Sequence, residues 1–448
     1  MVPDLLPLHG IGGRGDLPVP TWLAIYSAGA AVAVSFFALG AFWSRPRFEP
    51  ATGGLRDPAT GQRGAATGRR RGPAGVVGRP VRALTWIVDH PATRVVLKVA
   101  GVLVLGVLLA AAWFGDPEPS RNPAPTWLYV WIWVGIIPLS LLCGPIWRLA
   151  NPLRTIAALI PRTSYRRLPD GIAYWPAVAG LAAFLWLELV YPEGSDPRIV
   201  ALAVTAYAIV NVAAGIVFGP AWFGIGDSFE VYAEVLARLS PLGRGSDGVI
   251  ELRNPLAGLA TMPQRSGIVG LLCLLLGSTA FDGISRWSVW TQRTGELGKA
   301  QHLLVYTLGL VVAVAIVTGL FLAGAAGLPK AFAHSLVPIA IGYAIAHYFS
   351  FAMFQGQAGW LLATDPFGRG WDLLGTSGTR IDYAFLTTGV IAGVQIGAIV
   401  LGHVLGVVSA HDRAAGLFRR RRLRRAQYPM LAAMIAFTAG GIALVTAS

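Results

Sequence analysis

The chain has 448 residues, of which 54% are hydrophobic and 13% are charged. A soluble globular protein carries about 25% charged residues, so this composition excludes a soluble enzyme, a disordered chain and a small disulfide-stabilised secreted domain. The formal net charge is +14, but the basic residues lie between apolar segments, where membrane orientation and anionic lipid explain them better than nucleic acid does. The sequence therefore predicts an all-α, multi-pass protein of the cell membrane, with the lipid bilayer and not nucleic acid as its partner.

Ten apolar segments are long enough to cross a bilayer, which takes about 20 residues. They are residues 20–43, 95–115, 126–146, 172–191, 198–219, 266–286, 302–325, 331–354, 383–410 and 428–447. We therefore expect a transmembrane helix bundle of about ten spans. The predicted divisions are an outward-facing segment 1–19, the first transmembrane helix 20–43, a basic and partly disordered cytoplasmic loop 44–94, transmembrane helices 2–5 in 95–219, a cytoplasmic loop with an amphipathic helix 220–265, and transmembrane helices 6–10 in 266–448.

Arginine-rich loops set the predicted orientation of the bundle. Residues 45–82 hold nine arginines, residues 148–167 hold five and residues 411–427 hold seven. With ten spans, these three loops fall on one side of the membrane, which the positive-inside rule makes cytoplasmic. Both termini then face outside, and anionic lipid is the expected partner of the basic loops.

The loop 220–265 contains a predicted helix. Asp227 is followed three residues later by Glu230, in the manner of a capping box. Apolar side chains then recur at helical spacing, at Phe229, Tyr232, Leu236 and Leu239. Two interpretations stay open, namely a helix that lies along the inner membrane interface and a helix that packs on the bundle.

Two short motifs occur twice. Gly-Pro-Ile-Trp at 144–147 is matched by Gly-Pro-Ala-Trp at 219–222, and Asn-Pro-Leu at 151–153 is matched by the same letters at 254–256. Each Gly-Pro motif ends a predicted span on the cytoplasmic side. The pattern indicates a repeated two-helix unit of the kind found in transporters; the alternative is independent use of Pro and Trp at helix ends.

Ionisable groups inside a membrane are costly and mark functional sites by default. The predicted outer layer holds Glu188, Asp282, His302 and His347, joined from outside by His9; the inner layer holds His334, His403 and His411; Asn211 and Gln395 lie between them. The outer layer mixes imidazole and carboxylate groups, which suits a divalent metal ion. We expect His302 and His347 as metal ligands.

Asp282 and Glu188 are the candidate catalytic residues of this outer layer, each as a further ligand or a general base. Single residues of the outer layer also have explanations that involve no catalysis or metal binding. Asp282 stands four residues before Arg286, which permits an ion pair on one helix, and His302 begins its helix, where water can reach it. The two cysteines, Cys143 and Cys273, fall inside apolar runs and are expected to be buried thiols.

The inner histidines permit a less favoured interpretation as haem ligands. His334 and His403 lie at similar predicted depth on different helices, as two axial ligands would. Pro338 removes the N–H that would bond the carbonyl of His334, so a kink is expected there. The helix that contains His334, Pro338 and His347 is therefore the predicted functional helix.

Three stretches resemble a family. They are LPLHGIGG at 6–13 leading into DLP at 16–18, HSLVP at 334–338 with AHY at 346–348, and GHVL at 402–405 with AH at 410–411. Together they resemble actinobacterial polytopic membrane proteins labelled fenitrothion hydrolase, over essentially the whole chain. The resemblance implies hydrolysis of a small apolar organophosphate ester, with the outer layer as its site and a metal-bound water as the attacking group.

Two further interpretations come from other functional classes. In one, the same polar groups form a relay in a transporter or a proton- or ion-handling membrane protein. The relay would step from Asp282 and His347 through Gln395 and Asn211, and then to the inner histidines. In the other, the chain is a subunit of a membrane complex or a haem protein.

Overall fold

The computed structural model describes residues 21–43, 45–48, 78–160, 162–245, 247–418 and 420–446. The predicted segment 1–19 with His9, the part of the arginine-rich loop at 49–77, and Arg419 lie outside the described residues. Within these ranges the chain is mostly helical and has one two-stranded sheet. The prediction of an all-α bundle is confirmed.

The described residues form nineteen α-helices. They are α1 (Thr21–Phe42), α2 (Gly78–Asp89), α3 (Pro91–Phe114), α4 (Pro123–Thr126), α5 (Ile136–Cys143), α6 (Trp147–Ala150), α7 (Pro152–Ala158), α8 (Trp175–Leu189), α9 (Pro197–Phe218), α10 (Phe223–Gly226), α11 (Ser228–Ala237), α12 (Pro255–Ala260), α13 (Ile268–Ser285), α14 (Ser288–Thr294), α15 (Lys299–Gly324), α16 (Pro329–Phe332), α17 (Leu336–Leu362), α18 (Thr388–Leu417) and α19 (Arg420–Thr446). A π-helical segment, Trp127–Val134, joins α4 to α5, and a 3₁₀ turn, Ala333–Ser335, precedes α17. Strands β1 (Leu242–Arg244) and β2 (Ile250–Leu252) pair antiparallel, with Gly243 opposite Glu251.

Eight stretches of the described residues are long and apolar enough to cross a membrane. They are Trp22–Phe42, Pro91–Phe114, Pro123–Cys143, Pro197–Phe218, Ile268–Ser285, Lys299–Gly324, Pro329–Leu362 and Thr388–Leu417. Each overlaps one predicted span. The other two predicted spans coincide with shorter apolar helices, Trp175–Leu189 and Tyr428–Leu444. The chain is therefore a membrane protein, and apolar side chains left exposed on α3 and α15 have lipid as their natural environment.

Helices α17 and α18 cross at very short range because both carry glycine at the crossing. A Cβ atom on Gly342 would lie 2.4 Å from the carbonyl oxygen of Ala398, and one on Gly402 would lie 2.6 Å from that of Pro338. Small residues allow membrane helices to approach in this way. The crossing fixes the position of α17, which carries His347.

Pro338 begins a helix and does not kink one. It is the third residue of α17, and His334 lies before the helix in the 3₁₀ turn. In the first turn of a helix the N–H that proline lacks has no partner to lose. The expected departure from a straight helix therefore lies just before Pro338, at the turn Ala333–Ser335, which falls inside the apolar stretch Pro329–Leu362.

Helix α11 lies inside the bundle. Asp227 caps it by accepting from the backbone N–H groups of Phe229 and Glu230, at 3.1 and 3.4 Å. Eight of its ten residues are buried, so the helix packs on the bundle and does not lie along the membrane interface. Of the two open interpretations, the structure shows the packed helix.

The repeated motifs have matching conformations. Gly144 ends α5 with φ +71° and Gly219 ends α9 with φ +77°, a region that favours glycine. Each glycine leads into a one-turn helix, α6 or α10, and then into a helix capped by Asn151 or Asp227. Residues 122–158 and 196–237 therefore share one order of caps, breaks and helices.

Candidate functional site

Asp282 is the centre of a buried polar cluster between two spans. Its carboxylate accepts from Nη2 of Arg286 at 2.9 Å to each oxygen. Its Oδ2 also contacts Nε2 of His347, which comes from α17. The predicted pair with Arg286 is confirmed, and a contact between two helices joins it.

Glu188 lies beside this group on α8. It is only 4% exposed and interacts electrostatically with Asp282 and Arg286. Its Oε2 is buried and has no hydrogen-bond partner among the described residues. We call Glu188, Asp282, Arg286 and His347 the outer cluster.

Tyrosines surround the outer cluster. Tyr129 on the π-helical segment, Tyr232 on α11 and Tyr348 on α17 each interact electrostatically with Glu188. All three are buried. The cluster therefore combines carboxyl, imidazole and guanidinium groups with buried phenols nearby, of which Tyr129 donates its hydroxyl to the carbonyl of Gly194.

His302 stands apart from the outer cluster. In the first turn of α15, its ring stacks on Tyr306 with 3.8 Å between centroids. The His302 ring interacts electrostatically with Glu193 and hydrogen-bonds to the backbone of Val190. Of the four residues predicted to gather, the structure brings together Glu188, Asp282 and His347.

The outer cluster does not fit a divalent metal ion well. Arg286 occupies both oxygens of Asp282, and a guanidinium there repels a second cation. Over the part of the chain that the structure describes, no three His, Cys, Asp or Glu side chains form a metal-binding group. The metal stays a prediction.

The inner histidines bind backbone carbonyls. Nδ1 and Nε2 of His334 lie 3.0 and 3.3 Å from the oxygens of Ala331 and Ser409, and Nε2 of His411 lies 2.9 Å from that of Trp43. An axial haem ligand needs a ring nitrogen directed at iron. The occupied ring of His334 does not fit that role.

His403 differs from the other two inner histidines. Its Nδ1 lies 2.8 Å from the carbonyl oxygen of Ile399, one turn earlier on α18. Its Nε2 is buried and has no hydrogen-bond partner among the described residues. One free nitrogen does not make a haem site, so haem also stays a prediction.

The two predicted middle residues lie on different helices, α9 and α18. Asn211 on α9 donates to the carbonyl of Tyr207 and accepts from Nε1 of Trp222, both at 3.0 Å. It therefore ties a helix end to the turn that follows. Gln395 is half-buried on α18, and its place in a relay stays a prediction.

A second polar cluster joins the caps of α7 and α11. Asn151 donates through Nδ2 to Oδ2 of Asp227 at 2.7 Å and to Oε2 of Glu230 at 2.8 Å. Arg154 binds Glu230 through Nε at 3.0 Å and through a further contact from Nη2. Tyr207 donates to Oδ1 of Asp227 at 2.6 Å. We call these five residues the inner cluster.

Burial raises the pKa of Asp227, and the hydrogen bonds from Tyr207 and Asn151 oppose that rise.

The sequence analysis does not predict the inner cluster as a site. Its signal was nevertheless present, since Asn151 and Asp227 each follow one of the repeated Gly-Pro motifs. Within the sequence, the repeated Asn-Pro-Leu motif pairs Asn151 with Asn254. In the structure, the residue at the position equivalent to Asn151 is Asp227, and the two are hydrogen-bonded to each other.

An aromatic layer separates the two clusters. Trp133 stacks on Tyr232 at 4.6 Å and packs on Phe184 at 5.0 Å. Phe229 meets the ring of Tyr207 edge-on at 5.7 Å. Helix α11 spans this layer, because Asp227 and Glu230 belong to the inner cluster and Tyr232 interacts with Glu188.

No protein-family model matches the chain, and no curated protein or solved structure matches it either.

Proposed function

We propose that this chain is a multi-pass protein of the cell membrane, with ten spans and both termini outside, that passes protons or small cations through its helix bundle. The eight long apolar helices and two shorter ones support the span count. The arginine-rich loops support the orientation, because they fall together on one side when ten spans are counted.

The observation that carries the proposal is the contact between Asp282 and His347 across α13 and α17. An imidazole ring can both donate and accept a proton through its two nitrogens, and a carboxylate on one ring nitrogen is a ready proton acceptor. Such a pair inside a membrane is typical of proton relays. Arg286 holds the carboxylate in place from the end of α13.

Glu188 supplies a second acceptor next to the pair. A buried carboxyl oxygen without a partner is costly to keep charged, so this group can exchange a proton with its neighbours. The aromatic layer then keeps water from connecting the outer cluster directly to the inner one. Helix α11, which contacts both clusters, is the element through which their protonation is coupled.

The hydrolysis implied by the family resemblance is the second candidate function. The same contact favours it, because a carboxylate on one ring nitrogen orients the imidazole so that the other nitrogen can act as a general base. The reaction would be attack of an activated water on a small apolar ester that enters from the lipid. It needs no metal in this form.

One experiment separates the two candidates. The full chain is reconstituted into liposomes, and proton entry under a pH gradient is followed with an internal pH-sensitive dye. We expect flux for the wild type, loss to the empty-liposome rate for Asp282→Asn and His347→Gln, and wild-type flux for the control His302→Gln. Thermal unfolding of each variant shows that it is folded.

Two outcomes contradict proton handling. Wild-type flux no faster than that of empty liposomes is one, and flux unchanged in both folded cluster variants is the other. Hydrolysis of p-nitrophenyl esters and of a nitrophenyl phosphotriester is measured on the same samples. Ester turnover that falls about 100-fold in His347→Gln, without proton flux in the wild type, would establish the hydrolase instead.

A further inference from the structure

A large basic cavity opens beside the inner cluster, which contributes Glu230 to its lining. It has a volume of about 820 Å³ and lies among α2, the start of α3, the turn after α5, helix α11 and the β1–β2 hairpin. Its charged lining residues are Arg94, Lys98, Arg148, Arg238, Arg244 and Arg253, with Glu230 and Glu234 as the carboxylates. Cations therefore exceed carboxylates on its walls. We call it the basic cavity.

Three of these cations are already engaged in ion pairs. Arg94 and Arg244 share Asp89, at 2.8 and 2.7 Å, and they hold the pKa of that carboxyl at about 2. Arg238 pairs with Glu234 at 2.8 Å. These three arginines face two carboxylates, Asp89 and Glu234, so this wall keeps about one net positive charge, but the guanidinium groups are engaged in ion pairs.

Two cations remain available. Arg253 donates to backbone carbonyls, including that of Ala237 at 3.1 Å. Glu230 accepts from Asn151 and Arg154 of the inner cluster. Lys98 and Arg148 are exposed and have no hydrogen bond or ion pair among the described residues. Both line the basic cavity, so they form an unneutralised positive pair at its edge.

The remaining walls are apolar and continue into the lipid-facing surface. Leu84 and Val88 of α2 and Leu97 of α3 line the cavity. From there α3 carries exposed apolar side chains such as Leu103, and α2 exposes Trp86, a residue typical of the membrane interface. A molecule with an anionic head and apolar chains matches this arrangement.

We propose that the basic cavity binds the phosphate head group of an anionic phospholipid. Lys98 and Arg148 contact the phosphate, and the acyl chains lie along the apolar surface of α3. The inference stands on the charge and shape of this cavity alone, so it is independent of the proton-handling proposal. Anionic lipid would then bind at one defined site, in addition to any non-specific electrostatic attraction to the arginine-rich loops.

Native mass spectrometry of the detergent-solubilised full chain tests the proposal, with phosphatidylglycerol, phosphatidylcholine and inorganic phosphate added separately. We expect one phosphatidylglycerol per chain, bound more tightly than phosphatidylcholine. The double variant Lys98→Gln with Arg148→Gln should weaken it about tenfold, as loss of two exposed charge contacts implies. The matched control is Arg162→Gln with Arg166→Gln, which removes the same charge from an exposed stretch outside the cavity and should bind as the wild type does.

Three results would overturn the inference. Equal affinity for the two lipids excludes recognition of the anionic head. Equal weakening in the control variant shows a diffuse charge effect. Inorganic phosphate that binds as tightly as phosphatidylglycerol and displaces it assigns the cavity to free phosphate and not to lipid. Thermal unfolding of both double variants confirms that they are folded.

Discussion

Nδ2 of Asn151 lies 2.7 Å from Oδ2 of Asp227, and each of these two residues caps the N-terminus of a helix. The bond therefore joins equivalent points of the two repeated stretches, 122–158 and 196–237. The partial positive charges at both helix N-termini converge on the same carboxylates. The inner cluster thus holds the two stretches together, and its stability can be measured.

Replacing Asp227 should change the pH dependence of stability. Burial raises its pKa above the ordinary 3.8, so the folded state binds the proton more tightly than the unfolded state does. This group's contribution to stability is full below pH 3.8 and falls as the pH rises toward the folded pKa. The melting temperature of Asp227→Asn should therefore change less than that of the wild type as the pH rises above 3.8. Asp247→Asn, an exposed change nearby, should keep the wild-type slope; an unaltered slope in Asp227→Asn would refute the assignment.

Removing Glu230 should destabilise the fold strongly. The carboxylate is buried against Arg154, and deleting one partner leaves the other charge uncompensated, at a cost of about 3 kcal/mol. Glu234→Gln on the same helix breaks a more exposed pair with Arg238 and should cost about 0.5 kcal/mol. Denaturant unfolding in detergent measures both. Arg154→Met should recover part of the loss in Glu230→Gln, and strictly additive effects would argue against the ion pair.

The crossing of α17 and α18 should not tolerate a methyl group. In Gly342→Ala the new Cβ would meet the carbonyl oxygen of Ala398 at 2.4 Å, and relieving that clash costs about 1–3 kcal/mol. Gly356→Ala on the same helix meets nothing within 4 Å and should leave the melting temperature unchanged. Similar melting temperatures for the two variants would show that the helices are not in such close contact.

The two cysteines provide a test of orientation. Cys143 is exposed and Cys273 is buried, so the expectation of two buried thiols is wrong for Cys143, which ends α5 and lines the basic cavity. A membrane-impermeant maleimide should label Cys143 in inside-out vesicles and not in right-side-out vesicles, and Cys143→Ser should abolish the labelling. The opposite sidedness would reverse the proposed topology.

Glu188 should matter for proton flux more than for folding. Glu188→Gln keeps the shape of the side chain and removes its titration, so we expect a folded protein with strongly reduced flux in liposomes. Glu193→Gln, which breaks an exposed pair with Lys299 at 2.8 Å, should keep wild-type flux. Flux retained in folded Glu188→Gln would confine the proton path to Asp282 and His347.

The amino-acid sequence by itself determined the membrane class and the helical architecture, because lipid allows only spans whose backbone groups bond internally and that show as long apolar runs. It also determined the cap at Asp227 and the breaks at Gly144 and Gly219, since these depend on neighbours along the chain. Only the tertiary structure decided which distant groups meet. It placed Glu188 beside Asp282 and His347, left His302 outside, and buried most of α11, because the rotation and tilt of each helix are set by packing at contacts such as Gly342 against Ala398. No local spacing along the sequence records that rotation.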